Sequence, residues 1–391
     1  MANMYDAIVI GARCAGSPTA MLLARKGWRV LLVDRSTFPR DIPHGHFIHR
    51  DGPRRLAAWG LLDSLGPHCP ALTSFTLDLG DFPLTGDDLT LDGVAFGYGP
   101  RRSRLDHLLV GAAEAAGVEV REGFTVETLT TDDGRVTGIV GRASAGGATI
   151  VERARMTVGA DGRHSKVAAS VAAPAYNDFP TLTCWYFSYW SGVEGRGLEV
   201  YVRDRSVIFA FPTSDGLFAV FAAWPIDMFG EIKANIEPHF MATLDRLPEF
   251  AERVRSGRRE ERFAGAADLP NFQRKPYGPG WALVGDAGCH KDPFLALGIC
   301  DAFRDAEFLT QALDDGFNGR NDLTEALAEY ERRRNDGMRE DYVQNLSGAR
   351  FEKPPEKVLR LRATLKGNAE ATRQVFMARE GMMVGPPKPI T

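Results

Sequence analysis

Cysteine is scarce in this chain and never paired. Five cysteines occur in 391 residues, at positions 14, 69, 184, 289 and 300, and no C-x-x-C is present. An odd, scattered set argues against a disulfide scaffold or a structural zinc site, and no metal is expected. A reducing compartment, the cytoplasm, fits best. No run of about 18 apolar residues exists, so no integral membrane segment is expected. The N-terminus has neither a basic n-region nor a cleavage site, so no leader peptide is expected. Excess positive charge is missing too. The 47 basic and 51 acidic residues give a net charge of −4, which argues against a nucleic-acid surface. What remains, 44% hydrophobic and 25% charged residues, is an ordinary globular composition. The length suffices for two domains.

The first 35 residues carry the strongest signal. An apolar strand (Ala7 to Ile10) runs into a turn, G-A-R-C-A-G, bounded by Gly11 and Gly16. A helix (Pro18 to Lys26) and a second strand (Val30 to Val33) follow, ending in Asp34. This is the βαβ layout that binds a dinucleotide. Gly11 permits the tight turn, and Gly16 lets the helix pack closely on the strand. The helix N-terminus offers N–H groups to a pyrophosphate. Asp34, about 20 residues on, suits a ribose hydroxyl. Arg13 stands where a middle glycine is usual. The pattern points to a nucleotide without saying which.

Further along, residues 53–65 read as a short amphipathic helix, and 102–117 as a longer one with Gly117 as its C-cap. Strands are expected at 118–120, 124–140 and 148–158, with D-D-G and A-G-G turns. From about 175 to 265 aromatic, alternating runs dominate (182–190, 198–204, 206–212 and 217–225). They read as an inserted antiparallel sheet, covered by a helix near 233–256. A strand (281–287) and helix (298–314) return to the first domain. The last 70 residues read as helical and charged, with a loose PPKPIT tail.

Three motifs agree in order: the first turn with Asp34, V-G-A-D-G-R-H-S (158–165), and A-L-V-G-D-A (282–287) followed by Pro293 and Gly298. Between the first two lies R-x-x-L-D (Arg102 to Asp106), opening a helix. On these residues the chain resembles FAD-dependent monooxygenases of the p-hydroxybenzoate hydroxylase class, from residue 5 to about 345. Geranylgeranyl-reductase-like oxidoreductases and, more distantly, flavin halogenases look similar. The resemblance implies an α/β fold: a glutathione-reductase-like Rossmann FAD domain (1–75, 96–170 and 265–330), an inserted antiparallel-sheet substrate domain (76–95 and 171–264), and C-terminal helices (331–391). It implies that Gly11, Arg13, Cys14, Ala15 and Gly16 cradle the FAD pyrophosphate, and that Asp34, with Arg35 beside it, holds the adenosine ribose. Arg102 would reach the phosphate or ribose side, and Val126 would offer backbone to the adenine. Asp161 would sit beside the pyrophosphate. Asp286 would accept from the ribityl chain or phosphate bridge. Pro293 would lie against the flavin ring, with Leu297, Gly298 and Ile299 at a helix start under its pyrimidine edge. Leu297 stands where relatives often have Gln.

Within H-G-H-F-I-H (44–49), His44 and His46 are candidates for the active-site wall, with Pro293 at the reacting edge. A metal reading lacks the carboxylate shell it needs. Cys289-His290 reads as a loop pair near the flavin rather than a nucleophile. In the aromatic sheet, Cys184, Tyr186, Ser188 and Trp190 face one way, and Trp185, Phe187 and Tyr189 the other. One set floors a substrate cavity, and Trp185, Phe187, Tyr189, Phe211, Trp224 and Phe294 are the candidates. The resemblance implies NAD(P)H as a transient reductant, O2 as co-substrate, and oxygen transfer from a flavin C4a-hydroperoxide to an apolar or aromatic small molecule. A monomer or homodimer is expected. The alternative is a reductase or dehydrogenase of an apolar substrate. Less favoured are a non-catalytic protein of this fold and a halogenase. For a halogenase, no lysine occurs between Lys26 and Lys166, and W-x-W-x-I-P is missing.

Overall fold

The computed structural model describes residues 4–65, 69–143, 146–195 and 197–378; the PPKPIT tail and part of the A-G-G turn fall outside them. Strand β1 (Tyr5–Ile10) leads through the glycine turn into α1 (Gly16–Arg25) and back into β2 (Val30–Val33). Helix α2 (Arg102–Ala115) then delivers β3 (Glu119–Arg121). A meander follows: β4 (Phe124–Asp132), β5 (Arg135–Ala143) and β6 (Ile150–Gly159).

The first half of β6 pairs antiparallel with β5, and its second half pairs parallel with β1. Parallel pairing continues from β1 to β2 and from β2 to β3. Near the end of the chain, Trp281–Leu283 adds to the other side of β6, also parallel. Four parallel strand ends therefore point the same way, carrying Gly11, Asp34, Asp161 and Asp286 just beyond them. In open α/β sheets this edge is where ligands bind. The strands are apolar on both faces because helices cover one side and the meander the other.

The second sheet contains β7 (Thr183–Ser191), β8 (Gly197–Arg203), β9 (Ser206–Pro212) and β10 (Phe218–Pro225). Ser74–Asp78 and Pro83–Gly86 extend it beyond β8. Its two faces serve different cores. Odd-numbered Trp185, Phe187, Tyr189, Phe209, Phe211 and Phe221 pack toward the first domain. Cys184, Tyr186, Trp190 and Trp224 pack under helices Phe229–Ala234, Ile236–Leu244 and Pro248–Ser256. The expected helix at 233–256 is thus three short ones. The chain leaves helical geometry at Asn235 and Leu247, and Pro248 then opens the third.

Helix α3 (Gly298–Phe317) packs on α1, and α4 (Leu323–Ala349) on α3. The position expected to start a separate C-terminal region, 331, lies inside α4. That helix is bound to the first domain: Tyr330 donates to the Leu283 carbonyl of the first sheet (2.8 Å), and buried Arg334 donates to the carbonyls of Arg274 and Gly288. Among the described residues no helix is long and apolar enough to cross a membrane, and no group of His, Cys, Asp and Glu could hold a metal ion.

Candidate functional site

Where the two sheets meet, a cavity of about 960 Å³ runs from the parallel strand ends to the aromatic face. Its charged half is shaped by main chain. Gly11 has φ +106°, and a Cβ there would come within 2.4 Å of the Ala160 carbonyl oxygen. A Cβ on Gly16 would sit 1.8 Å from the Gly11 oxygen. Both glycines are required by close backbone approach, and the cradle they leave opens on α1. That helix has no side-chain cap and no acid in its first turn, so its leading N–H groups are available to an anion.

Three carboxylates stand beyond the strand ends. Asp34 accepts from the N–H of Ala12 (2.8 Å) and of Ser36 (2.7 Å), which fixes it at the end of β2. Asp161 accepts from Ser165 Oγ (2.5 Å) and the N–H of Lys166 (2.7 Å), tying the second motif to helix Lys166–Ser170. Asp286 borders the cavity, and among the described residues no protein donor meets its carboxylate. Arg35 and Val126 line this half as well.

Arg13 does not block the cradle. Its guanidinium pairs with Asp106 (2.5 Å) and stacks over Phe38. Asp106, fully buried, also takes Nε and Nη2 of Arg102 (3.1 and 2.9 Å) and the Cys14 thiol. Asp106 closes the R-x-x-L-D motif. Its signal was the i, i+4 spacing from Arg102, which puts both on one helix face.

The loop between Trp281–Leu283 and α3 divides the halves. Asp292, 2% exposed, accepts from the Phe294 N–H (3.1 Å) and from Thr183 Oγ1 (2.5 Å). Thr183 in turn accepts from the Trp185 indole (2.8 Å). Burial pushes the Asp292 carboxyl up to about 6 despite these donors. Sequence reasoning missed Asp292; it immediately precedes Pro293, but its side-chain partner Thr183 is 109 positions away. Pro293, Leu297, Gly298 and Ile299 all line the cavity, at the start of α3. Lys291 also borders it, bound to Asp301 (2.5 Å).

Trp185, Phe187 and Phe211 line the aromatic half, together with Phe47, Phe209 and Phe221. His46 closes this wall. Its Nδ1 lies 3.1 Å from the Gly99 carbonyl, so it must donate, and Nε2 then accepts from the Tyr189 hydroxyl (3.0 Å). Burial lowers His46 to about 3, outweighing nearby Asp41 and the Gly99 carbonyl, so the ring is neutral. His44 borders the cavity too. Its side chain is open to that space, but the walls screen it from bulk water. That enclosure, with Arg102, Arg163 and Arg13 around it, holds it below its ordinary value.

Three expected substrate contacts lie elsewhere. Trp224 pairs in register with Cys184, so it is on the opposite face, where its indole donates to Thr243 (3.0 Å). Phe294 turns away and packs on Gly348 and Phe351 of the α4 end. Tyr189 stands behind His46, with Arg101 4.4 Å over its ring. Cys289 donates to the Met338 sulfur (3.3 Å), and burial pushes its thiol up to about 12, so it is no nucleophile.

The strand-end cradle suits a dinucleotide, and one loop separates it from an aromatic pocket. The FAD binding domain family matches residues 4–248, and the chain belongs to that family of FAD-dependent oxidoreductases. It is 26% identical over 309 residues to a tryptophan 2-halogenase of Chondromyces crocatus, covering 75% of this chain but only 58% of that protein. Against a kynurenine 3-monooxygenase of Salinispora arenicola it is 28% identical over 379 residues, 90% of this chain and 81% of that one. Digeranylgeranylglycerophospholipid reductases are also among its relatives. Its fold is similar to that of the myxobacterial chondrochloren halogenase CndH, with a TM-score of 0.81 at 23% identity, covering 97% of this chain and 93% of that one.

Proposed function

We propose that this FAD-dependent oxidoreductase is a monooxygenase that takes electrons from NAD(P)H and adds one oxygen atom of O2 to an apolar or aromatic small molecule. The observation that carries the reading is the single cavity with a charged half and an aromatic half, meeting at loop 292–298. Bound FAD supplies the redox chemistry and the reaction with dioxygen.

The chain supplies position and dryness. Gly11, Gly16 and the start of α1 hold the pyrophosphate, with Cys14 and Ala15 in the turn. Asp34 takes the ribose, and Asp286 a hydroxyl of the ribityl chain. Asp106 engages Nε and Nη2 of Arg102, leaving Nη1 for the cofactor. Pro293 and the start of α3 bound the reacting ring, where a helix N-terminus favours negative charge on the reduced cofactor. The rings of β7, β9 and β10 exclude water from the acceptor's side. We place NAD(P)H as a visiting reductant, because no second glycine-turn βαβ unit occurs in the sequence.

Halogenation is the second reading, favoured by the halogenase relatives. Against it, the Lys291 amine is held in an ion pair with Asp301 instead of standing free. One assay separates the readings. FAD-loaded protein is given NADH or NADPH, O2, bromide and an arene panel, and product masses are read. A gain of one oxygen with stoichiometric O2 uptake supports monooxygenation. A gain of bromine, or substrate reduction without O2 uptake, refutes it.

A further inference from the structure

We infer that the aromatic half takes an uncharged, flat arene held by ring stacking and rejects carboxylates. The inference rests on the monooxygenase reading and narrows its substrate class.

Three features carry it. First, everything the second sheet contributes to the cavity is uncharged: Trp185, Phe187, Phe209, Phe211 and Phe221, with small Gly265 and Ala266 beside them. The arginines of the lining, Arg13, Arg35, Arg40 and Arg163 on turns and loops and Arg102 at the start of α2, come from the other end.

Second, the rings form a layered wall. Phe187 and Phe221 lie 4.6 Å apart between centroids at 21°, and Phe211 is within 13° of parallel to Phe221 at 5.8 Å. Such a surface presents faces and edges to another flat ring.

Third, the polar groups of this half already have partners. The Trp185 indole N–H goes to Thr183, both His46 nitrogens are engaged, and each Asp292 oxygen has a donor. His46 is neutral and cannot pair with an anion, and an acid in the wall repels one. Arg101, behind Tyr189, is bound to Asp41 and Glu261. Behind loop 293–297, Asn345 accepts from the Leu295 N–H (3.1 Å), and its Nδ2 has no acceptor among the described residues. That single neutral donor suits a hydroxyl or carbonyl oxygen and does not offset a buried charge. Lys291, on the loop between the halves, is already paired with Asp301. A carboxylate entering here therefore loses its water and gains no free cation.

The test compares near-isosteric ligands on the FAD-loaded full chain. 2-Naphthol and 2-naphthoate are titrated, with flavin absorbance and tryptophan quenching as readouts. Naphthol is expected to bind at least tenfold more tightly. Phe221→Arg should reverse that order. If that variant fails to fold, Phe187→Leu should weaken naphthol without strengthening naphthoate. Equal or tighter naphthoate binding, or no response to either up to the solubility limit, overturns the inference. Oxygen transfer is scored separately. An oxygenating protein that prefers naphthoate overturns the substrate class alone, whereas naphthol preference without oxygen transfer overturns the parent reading alone.

Discussion

At the charged end of the cavity, recognition is built from main chain and from carboxylates fixed at strand ends. At the aromatic end it is built from ring faces on one side of a sheet. The first design depends on backbone approach: Gly11 and Gly16 have no room for a Cβ, and Asp34 and Asp161 are locked by backbone N–H groups. The second depends on packing, which tolerates a change of ring more readily than a change of charge. The aromatic end can therefore change what it fits while the backbone cradle stays as it is.

Four substitutions test that division, beginning with the largest effect. Asp106→Ala strands Arg102 as a buried, unpaired cation and releases the half-buried Arg13, so stability should fall by about 3–5 kcal/mol and flavin should be lost with it. Denaturant midpoints and flavin content read both; a wild-type midpoint would sink the assignment. Asp286→Ala removes an acceptor that no group among the described residues uses, so FAD affinity should drop by roughly 1.5–3 kcal/mol while the thermal midpoint of the apoprotein stays put. Unchanged flavin retention would mean that the third motif does not touch the cofactor.

His46 probes the aromatic end through pH. It is held neutral to about 3, whereas an unfolded histidine titrates near 6.5, roughly. Between those values the unfolded chain binds a proton that the folded chain refuses. Its contribution is therefore complete above about pH 6.5 and declines on acidification, by about 1.4 kcal/mol per unit. His49, buried and lowered to about 4, acts in the same direction. His46→Gln should flatten the slope of urea midpoints below neutrality, and an identical slope would argue against a buried neutral ring. The smallest effect on cofactor binding is expected from Leu297→Gln. FAD affinity should change by less than about 0.5 kcal/mol, as for a surface replacement, while turnover shifts further. Equal losses in both would show that the loop holds the cofactor through that side chain.

The charged end was legible because its requirements are local. A glycine turn, a helix and an acid within 34 residues announce themselves in order, and Asp161 and Asp286 each end an apolar strand. The second sheet was legible as strands, not as faces. Alternation divided β7 correctly into two sets, yet could not say which met the cavity. Trp224 was assigned to the wrong side because its face depends on pairing with Cys184, forty positions away. Asp292, Asn345 and Lys291 were missed for the same reason: their partners Thr183, Leu295 and Asp301 meet them only after folding.

Two thiols stand in the wall of a chamber proposed to handle dioxygen. Cys14 is hydrogen-bonded to Asp106 and Cys289 to Met338, and burial pushes both thiols up to about 12. Oxidants attack the thiolate, and here almost none exists at neutral pH. Any peroxide reaching these residues would therefore meet them in their unreactive form.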